Sequence, residues 1–161
     1  MQIAKAFDAE VTGVCSTRNI ELVHSIGADD VIDYTKRDFT LESNRYDVVF
    51  DAVGNHSLTA FRRVLRPKGT FLAPGAGSGK LLGPAKQQLK TTLLSPFVPQ
   101  TMKAVNDKPN QDLDELRDLI EAEKVVPVVD RVFSLDQAPA ALRYLEGGRA
   151  RGKVVVGVSP S

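Results

Sequence analysis

The strongest constraint on the fold is the alternation of short apolar runs with segments of helical periodicity along the chain. The apolar runs that are typical of strands are residues 11–16, 31–34, 46–51 and 70–73. Strands that alternate with helices of about ten residues form parallel sheets through right-handed crossover connections. The sequence therefore predicts an α/β fold built on a doubly wound parallel sheet.

Glycine and serine mark the ends of the predicted helices in the first half of the chain. Gly27 is expected to stop a helix over residues 19–26, and Ser57 is expected to cap a helix that runs to Leu65. A turn at residues 67–69 then leads into the strand at 70–73. In the strand at 46–51, the consecutive apolar residues favour burial on both faces of the sheet.

The second half of the chain is less regular, and proline is frequent between residues 74 and 109. Pro96 and Pro99 confine any strand near residues 93–105 to a sheet edge or a bulge. Asp112 is expected to cap a helix with an apolar stripe. A strand at 131–133, a helix at 136–145 and a strand at 153–158 then continue the α/β order.

Composition places the chain among globular proteins. Its 161 residues suit one domain, with 42% hydrophobic and 25% charged residues. The net charge of +1 argues against nucleic acid as a partner, because duplex binding requires a basic patch. No segment reaches the length of a membrane span, and the N-terminus lacks the order of a signal peptide. We therefore expect a cytoplasmic protein with no membrane partner.

The single cysteine and the two histidines limit metal and redox chemistry. Cys15 lies in an apolar strand, where a buried and unreactive thiol is expected. One cysteine excludes an internal disulfide and a thiolate-rich zinc site, and His24 and His56 lack the spacing of metal ligands. We therefore expect no metal site within this chain.

Residues 1–7 have the pattern of the middle of an amphipathic helix, and no strand precedes them in the sequence. In a dinucleotide-binding fold of the Rossmann type, the first helix follows a strand and a glycine-rich turn, and its N-terminus holds the pyrophosphate. We therefore expect residues 1–161 to form a partial dinucleotide-binding domain that lacks the first strand and the glycine-rich turn.

A family resemblance rests on residues 31–34 (VIDY), 46–54 (YDVVFDAVG) and 147–156 (GGRARGKVVV). In this order and spacing they resemble the medium-chain dehydrogenase/reductase superfamily, above all its zinc-independent NADPH:quinone oxidoreductase branch, which includes zeta-crystallin. The resemblance covers nearly the whole chain. It implies a nucleotide-binding domain of the zinc-binding dehydrogenase C-terminal type, with the N-terminal catalytic domain absent.

The residues that follow the second strand of such a fold choose between NAD and NADP. An acid there binds the ribose of NAD, whereas this chain has Ser16, Thr17 and Arg18. The hydroxyls could donate to a 2′-phosphate, and the guanidinium could bind it in a bidentate manner. We therefore predict an NADP(H) pocket; the alternative interpretation is an ordinary helix cap followed by a solvated arginine.

The resemblance implies further cofactor contacts at the ends of later strands. Tyr34 would lie beside the adenosine and its 2′-phosphate, the alternative being a tyrosine on a half-buried strand. Val53 and Gly54 end the fourth strand of the fold, where a glycine lets backbone approach the cofactor. Asp51 is expected to bind backbone N–H groups rather than act as an acid. The remaining contacts are Pro74 and Gly75 near the nicotinamide, and Lys153 towards the pyrophosphate with Arg151 as a neighbouring candidate.

The implied function is hydride transfer between NADP(H) and a quinone or enone, with no catalytic residue from this half of the family's fold. The isolated chain is expected to be inactive. One alternative is a truncated, catalytically inactive remnant that acts only in subunit association. Another is a SAM-dependent methyltransferase, which residues 65–71 resemble. Methyltransferases keep a ribose-binding acid and end in an antiparallel hairpin, neither of which this sequence suggests.

The missing first strand also bears on assembly. It is central in the sheet order 3-2-1-4-5-6, so its absence leaves the inner edges of the second and fourth strands unpaired. Unpaired N–H and C=O groups at a sheet edge recruit further chains. We therefore expect a homo-oligomer, with direct closure of the two sheet halves as the alternative.

Overall fold

The computed structural model describes residues 1–74, 99–105 and 112–158. They belong to two compact units: Met1–Asp33 together with Asp112–Ser161 form the first, and Tyr34–Gln111 form the second. The first unit therefore combines two distant segments of the chain, whereas the second is one continuous segment. Gly75, predicted to lie near the nicotinamide, falls outside the described residues.

Helices and strands follow one another in the α/β order that the sequence predicts. The helices are α1 (Gln2–Ala6), α2 (Ile20–Ser25), α3 (Leu58–Val64), α4 (Leu113–Glu121) and α5 (Ala138–Glu146). The strands are β1 (Thr12–Cys15), β2 (Asp30–Asp33), β3 (Tyr46–Phe50), β4 (Leu65–Pro74), β5 (Thr101–Val105), β6 (Val129–Ser134) and β7 (Lys153–Gly157). Short 3-10 turns cover Thr17–Asn19, Phe39–Leu41 and Leu135–Gln137. The described strands pair in parallel, which confirms the predicted fold class.

In the first unit, β1 pairs with β2 and β6 pairs with β7. Helix α2 packs closely on β1 at Gly13, because a Cβ there would lie 2.4 Å from Cγ1 of Val23. Cys15, Val23 and Ala28 form the buried core of this packing, which agrees with the buried thiol that the sequence predicts. Gly27, with a φ of +101°, follows α2 and ends it as predicted.

The side chain of Gln2 connects the two segments of the first unit. Its amide nitrogen donates to the carbonyl oxygen of Val126 at 2.9 Å, and its amide oxygen accepts from the backbone N–H of Val126. One side chain thus satisfies both backbone polar groups of a residue 124 positions away.

In the second unit, the strands are ordered β3-β4-β5. Helix α3 packs on the sheet through Phe61 and Val64, and the ring of Phe61 lies 4.7 Å from the ring of Phe71, centroid to centroid. Ser57 caps α3 as predicted, since its Oγ accepts from the backbone N–H of Ala60 at 3.2 Å. Strand β5 lies at the edge of the described sheet, as predicted for a strand near residues 93–105.

Strand β4 contains a bulge where the sequence predicts a turn. Tyr46 pairs with Leu65 and Val48 pairs with Thr70, so residues 66–69 bulge between these two pairs. A Cβ on Gly69 would lie 3.0 Å from the carbonyl oxygen of Tyr46, which favours glycine at this point. The predicted turn therefore lies inside the strand, and β4 begins directly where α3 ends.

The prediction that β3 is buried on both faces is wrong. The side chains of Val48 and Phe50 are 56% and 61% exposed. Burial on both faces needs a layer of helices on each side of the sheet. Among the described residues of the second unit, α3 is the α-helix that covers the sheet, and it protects one face.

The prediction that the side chain of Asp112 caps α4 is also wrong. Asp112 stands at the N-cap position of α4, but its side chain accepts no hydrogen bond from the helix. Its backbone has a φ of +62°, in the left-handed region, whereas a capping residue has an extended backbone that directs its side chain to the first turn. The helix still forms, with the carbonyl oxygen of Asp112 accepting from the N–H of Leu116.

Two sheet edges are left open by the strands that the structure describes. Strand β1 has β2 as its neighbour on one side, and β3 has β4 as its neighbour on one side. In the predicted fold, β1 corresponds to the second strand and β3 to the fourth.

Candidate functional site

A polar turn follows the carboxyl end of β1. Ser16 has an extended backbone and begins the 3-10 turn Thr17–Asn19, whose last N–H donates to the carbonyl oxygen of Ser16 at 2.8 Å. Ser16 is half-buried, and Thr17 and Arg18 are exposed. The three residues predicted to bind a 2′-phosphate therefore lie together at the strand end where open α/β sheets bind their ligands.

Thr17 is engaged by a carboxylate from the neighbouring strand. Its Oγ1 donates to Oδ2 of Asp33, the last residue of β2. Asp33 is buried and pairs in register with Cys15. Because its hydroxyl proton points at Asp33, Thr17 presents lone pairs rather than a donor to a ligand. Of the three residues predicted to bind a 2′-phosphate, Ser16 and Arg18 therefore keep the donors that the prediction requires.

Asp33 is a site residue that sequence analysis missed. Burial raises the pKa of the Cys15 thiol, and the negative charge of Asp33 raises it further. An acid at the end of β2 thus lies against the turn that follows β1, where its carboxylate accepts from Thr17. Parallel neighbouring strands end at the same edge, so the aspartate of the VIDY motif was the signal that could have placed it.

Arg18 contacts a loop from the far end of the chain. Its Nη2 donates to the carbonyl oxygen of Arg149 at 3.3 Å. Arg149 lies in residues 147–152, called here the arginine loop, which leads from α5 to β7. The structure therefore brings Arg18 beside the loop that carries Arg151 and precedes Lys153, two positions that the sequence gives as separate candidates for phosphate binding.

Asp130, near the start of β6, holds the arginine loop. Its Oδ2 accepts from the hydroxyl of Tyr144 at 2.7 Å and from the backbone N–H of Arg151 at 3.0 Å. The guanidinium of Arg131 lies 4.3 Å from the centroid of the Tyr144 ring. The bond from Arg151 and then that from Tyr144 lower the pKa of Asp130, while the bond to Asp130 raises the pKa of Tyr144. Sequence analysis missed Asp130 as well.

In the second unit, Asp51 orders the turn after β3. Its Oδ1 accepts from the backbone N–H groups of Val53 and Gly54 at 3.0 and 2.9 Å, which confirms its predicted structural role. Gly54 has a φ of +80° and open space where a Cβ would be. The other carboxylate oxygen of Asp51 is buried without a hydrogen-bond partner among the described residues. The turn thus exposes the backbone at Gly54, which suits the close approach of a nucleotide.

Three further residues that are predicted to contact the cofactor lie at the ends of strands. Tyr34 is 57% exposed and follows β2 directly. Pro74 is the last residue of β4. Lys153 is exposed at the start of β7, and its backbone N–H donates to the carbonyl oxygen of Val128 at 2.7 Å. Their roles as cofactor contacts stay predictions.

Comparison with known protein families shows to which family the chain belongs. Residues 26–156 match the family described as zinc-binding dehydrogenase. The chain belongs to this family. The resemblance to the medium-chain dehydrogenase/reductase superfamily is thereby confirmed. The parallel pairing of β6 with β7 also contradicts the methyltransferase alternative, which predicts an antiparallel hairpin at the end of the fold.

Several proteins that are similar to this chain carry the names of oxidoreductases. The mitochondrial NAD(P)H oxidoreductase RTN4IP1 of Danio rerio is 33% identical over 98% of this chain and 45% of its own length. The chloroplastic NADPH-dependent alkenal/one oxidoreductase of Arabidopsis thaliana is 33% identical over 92% of this chain and 33% of its own length. Among solved structures, the quinone oxidoreductase from Coxiella burnetii has a TM-score of 0.77 and 25% identity, covering 98% of this chain and 48% of the other. The chain thus spans less than half the length of these relatives.

The family name refers to zinc, but the described residues do not fit a zinc site. Within residues 1–74, 99–105 and 112–158, no group of three or more His, Cys, Asp or Glu side chains is placed to hold a metal ion. In the same ranges, no helix is long and apolar enough to cross a membrane.

Proposed function

We propose that this chain is the NADP(H)-binding portion of an oxidoreductase that reduces quinones or enones by hydride transfer. The observation that carries the proposal is the turn after β1, which presents Arg18 where NAD-binding sites have an acid. The names of the relatives support a nicotinamide cofactor and substrates of the quinone and enone classes.

A nicotinamide cofactor, when bound, supplies the hydride, while the protein supplies binding and orientation. In this proposal, Arg18 binds the 2′-phosphate through a charge-assisted contact, and Ser16 adds a hydroxyl at the same turn. Asp33 holds Thr17 and so fixes the turn relative to β2. In the second unit, the exposed turn at Val53 and Gly54 is a separate candidate for a backbone contact to a nucleotide.

A non-catalytic role in subunit association is the second candidate. It is favoured by the open edges of β1 and β3 and by the exposed apolar side chains of Val48 and Phe50 on β3. This candidate predicts association of the chain without any preference between nicotinamide cofactors, so one binding experiment separates it from the proposed function.

The experiment measures dissociation constants of the chain for NADPH and NADH by calorimetry. We expect NADPH to bind more tightly by roughly tenfold to a hundredfold, since a hydrogen bond to a charged group contributes about 1.5–3 kcal/mol. Arg18→Ala should remove most of this preference. Arg45→Ala is the matched control, because Arg45 is an exposed arginine that also donates to backbone carbonyl oxygens. Equal affinities of the parent chain for the two cofactors would contradict the proposal.

A further inference from the structure

The arginine loop is rich in glycine and needs an anchor. Residues 147–152 contain Gly147, Gly148 and Gly152, and Gly148 has a φ of +62°. Glycine widens the range of conformations that a loop can sample, so a loop of this composition has no single backbone path of its own. Backbone bonds hold its two ends, where the N–H groups of Gly147 and Gly148 donate to the last turns of α5 and the N–H of Lys153 donates to Val128. Between these ends, the backbone N–H of Arg151 donates to Oδ2 of Asp130, which is a side-chain anchor of the loop.

This anchor is connected to Arg18 by a short series of contacts. Asp130 fixes Arg151, and two residues earlier in the loop the carbonyl oxygen of Arg149 accepts from Nη2 of Arg18. The same carboxylate oxygen accepts from Tyr144, which lies in the last turns of α5 directly before the loop. Asp130 therefore ties together β6, α5 and the loop that orients Arg18, without contacting Arg18 itself in the hydrogen bonds described.

We infer that Asp130 is a positioning residue for an anion site at Arg18: it fixes the arginine loop, whose Arg149 carbonyl orients the guanidinium towards the 2′-phosphate of a nucleotide. This inference rests on the proposed function, in which Arg18 reads that phosphate. The hydrogen bonds from Arg151 and Tyr144 that hold the loop also lower the pKa of Asp130, because both favour its ionised form.

The direction in which the phosphate affinity changes when Asp130 is removed distinguishes a positioning role from a purely electrostatic one. A carboxylate near an anion site repels a phosphate, so if Asp130 acted through its charge alone, removing it would strengthen phosphate binding. If it acts by holding the loop, removing it weakens phosphate binding although the site becomes more positive. The two roles thus predict changes of affinity in opposite directions for the same substitution.

The experiment measures the affinity of the chain for 2′,5′-ADP and for 5′-AMP, which lacks the 2′-phosphate. Asp130→Ala should weaken binding of 2′,5′-ADP by about tenfold, the scale at which loss of an outer hydrogen-bond partner weakens a bound site, and change binding of 5′-AMP little. Tyr144→Phe should weaken binding of 2′,5′-ADP less than Asp130→Ala does, because Arg151 still donates to Asp130. Asp130→Asn should recover part of the affinity, because its amide oxygen can accept from the Arg151 N–H.

Asp29→Ala is the matched control. Asp29 is a carboxylate of the same unit that likewise accepts from a backbone N–H, that of Val11, and from a side chain, that of Lys5. Its loss should leave the affinity for 2′,5′-ADP unchanged. An equal loss in Asp29→Ala, or unchanged or tighter binding in Asp130→Ala, would overturn the inference.

Hydrogen exchange at the Arg151 amide provides a readout that does not depend on ligand binding. Exchange should be faster in Asp130→Ala and Asp130→Asn than in the parent chain, and unchanged protection in both variants would overturn the inference. If the parent chain does not prefer 2′,5′-ADP, the proposed function fails, and the inference fails with it. A preference that is lost in Arg18→Ala but kept in Asp130→Ala overturns the inference alone.

Discussion

The end of β1 shows how one neighbouring residue changes the chemistry of a site. The thiol of Cys15 and the hydroxyl of Thr17 both face Asp33, which belongs to the next strand. The carboxylate accepts a hydrogen bond from the hydroxyl of Thr17, and its charge adds to burial in raising the pKa of the Cys15 thiol. A turn that looks like a set of hydroxyl donors in the sequence therefore becomes, in the fold, a turn whose positive character comes from Arg18.

Replacing Asp33 with asparagine should make Cys15 more reactive. The raised pKa of Cys15 has burial as its larger cause and the charge of Asp33 as its smaller one, so the substitution should lower the pKa without restoring the ordinary value. At a fixed pH near 8, Asp33→Asn should therefore react faster with iodoacetamide than the parent chain, yet more slowly than the unfolded chain. Reaction rates measured across pH check this order. Asp29→Asn should leave the rates unchanged, and identical profiles for Asp33→Asn and the parent would contradict the prediction.

Helix α2 packs closely against β1 at Gly13. Of the two glycines in the described strands of the first unit, Gly13 leaves less space for a Cβ than Gly157 does. Gly13→Ala should lower the free energy of unfolding by about 1–3 kcal/mol, because the new methyl group would overlap Cγ1 of Val23. Gly157→Ala on β7 is the matched control, since the nearest atom to its added Cβ would be 3.8 Å away. Urea denaturation of both variants measures the difference. A Gly13→Ala chain as stable as Gly157→Ala would contradict this view of the packing.

The elements that could be predicted from the sequence are those determined by residues close together in the chain. Gly27 ends its helix, Ser57 caps its helix and Asp51 orders its turn through contacts a few residues away. The contacts of Asp33 and Asp130 are with residues 16 and 21 positions distant, so they required the strand pairing to be known. The exposure of β3 depends on which layers cover the sheet, and no local pattern reports that.

The bulge in β4 is a second feature whose position local sequence does not determine. The sequence identifies Pro67 and Gly69 as turn residues, but the turn lies inside the strand because pairing with β3 resumes at Thr70. Local residue preference determines that the chain turns, whereas the register with a neighbouring strand determines where the turn stands in the sheet.

For the molecule as a whole, the open edge of β3 predicts self-association. Its exposed Val48 and Phe50 lie on a strand that pairs on one side in the described structure. We expect light scattering to show a dimer or larger assembly whose fraction rises with concentration. Val48→Lys should shift the chain towards monomer, because a lysine on an edge strand opposes pairing with another edge.

Leu41→Lys is the control for this substitution. Leu41 is 72% exposed and lies in the same unit but outside the sheet, so its replacement adds the same charge without affecting a strand edge. The Leu41→Lys chain should associate as the parent does. A parent chain that stays monomeric over the whole concentration range would contradict the prediction of an oligomer.

The division of the chain also bears on the order in which it folds. The second unit is contiguous, whereas the first needs residues up to Asp33 to meet residues from Asp112 onward, and the bond from Gln2 to Val126 spans 124 positions. Contacts between distant residues cost more loop-closure entropy and slow the folding of small domains. During synthesis from the N-terminus, the second unit can therefore fold while the first still waits for its C-terminal half. Until the ribosome has passed β7, the strands β1 and β2 remain without the segment that completes their unit, and this interval is when the nascent chain most needs protection from aggregation.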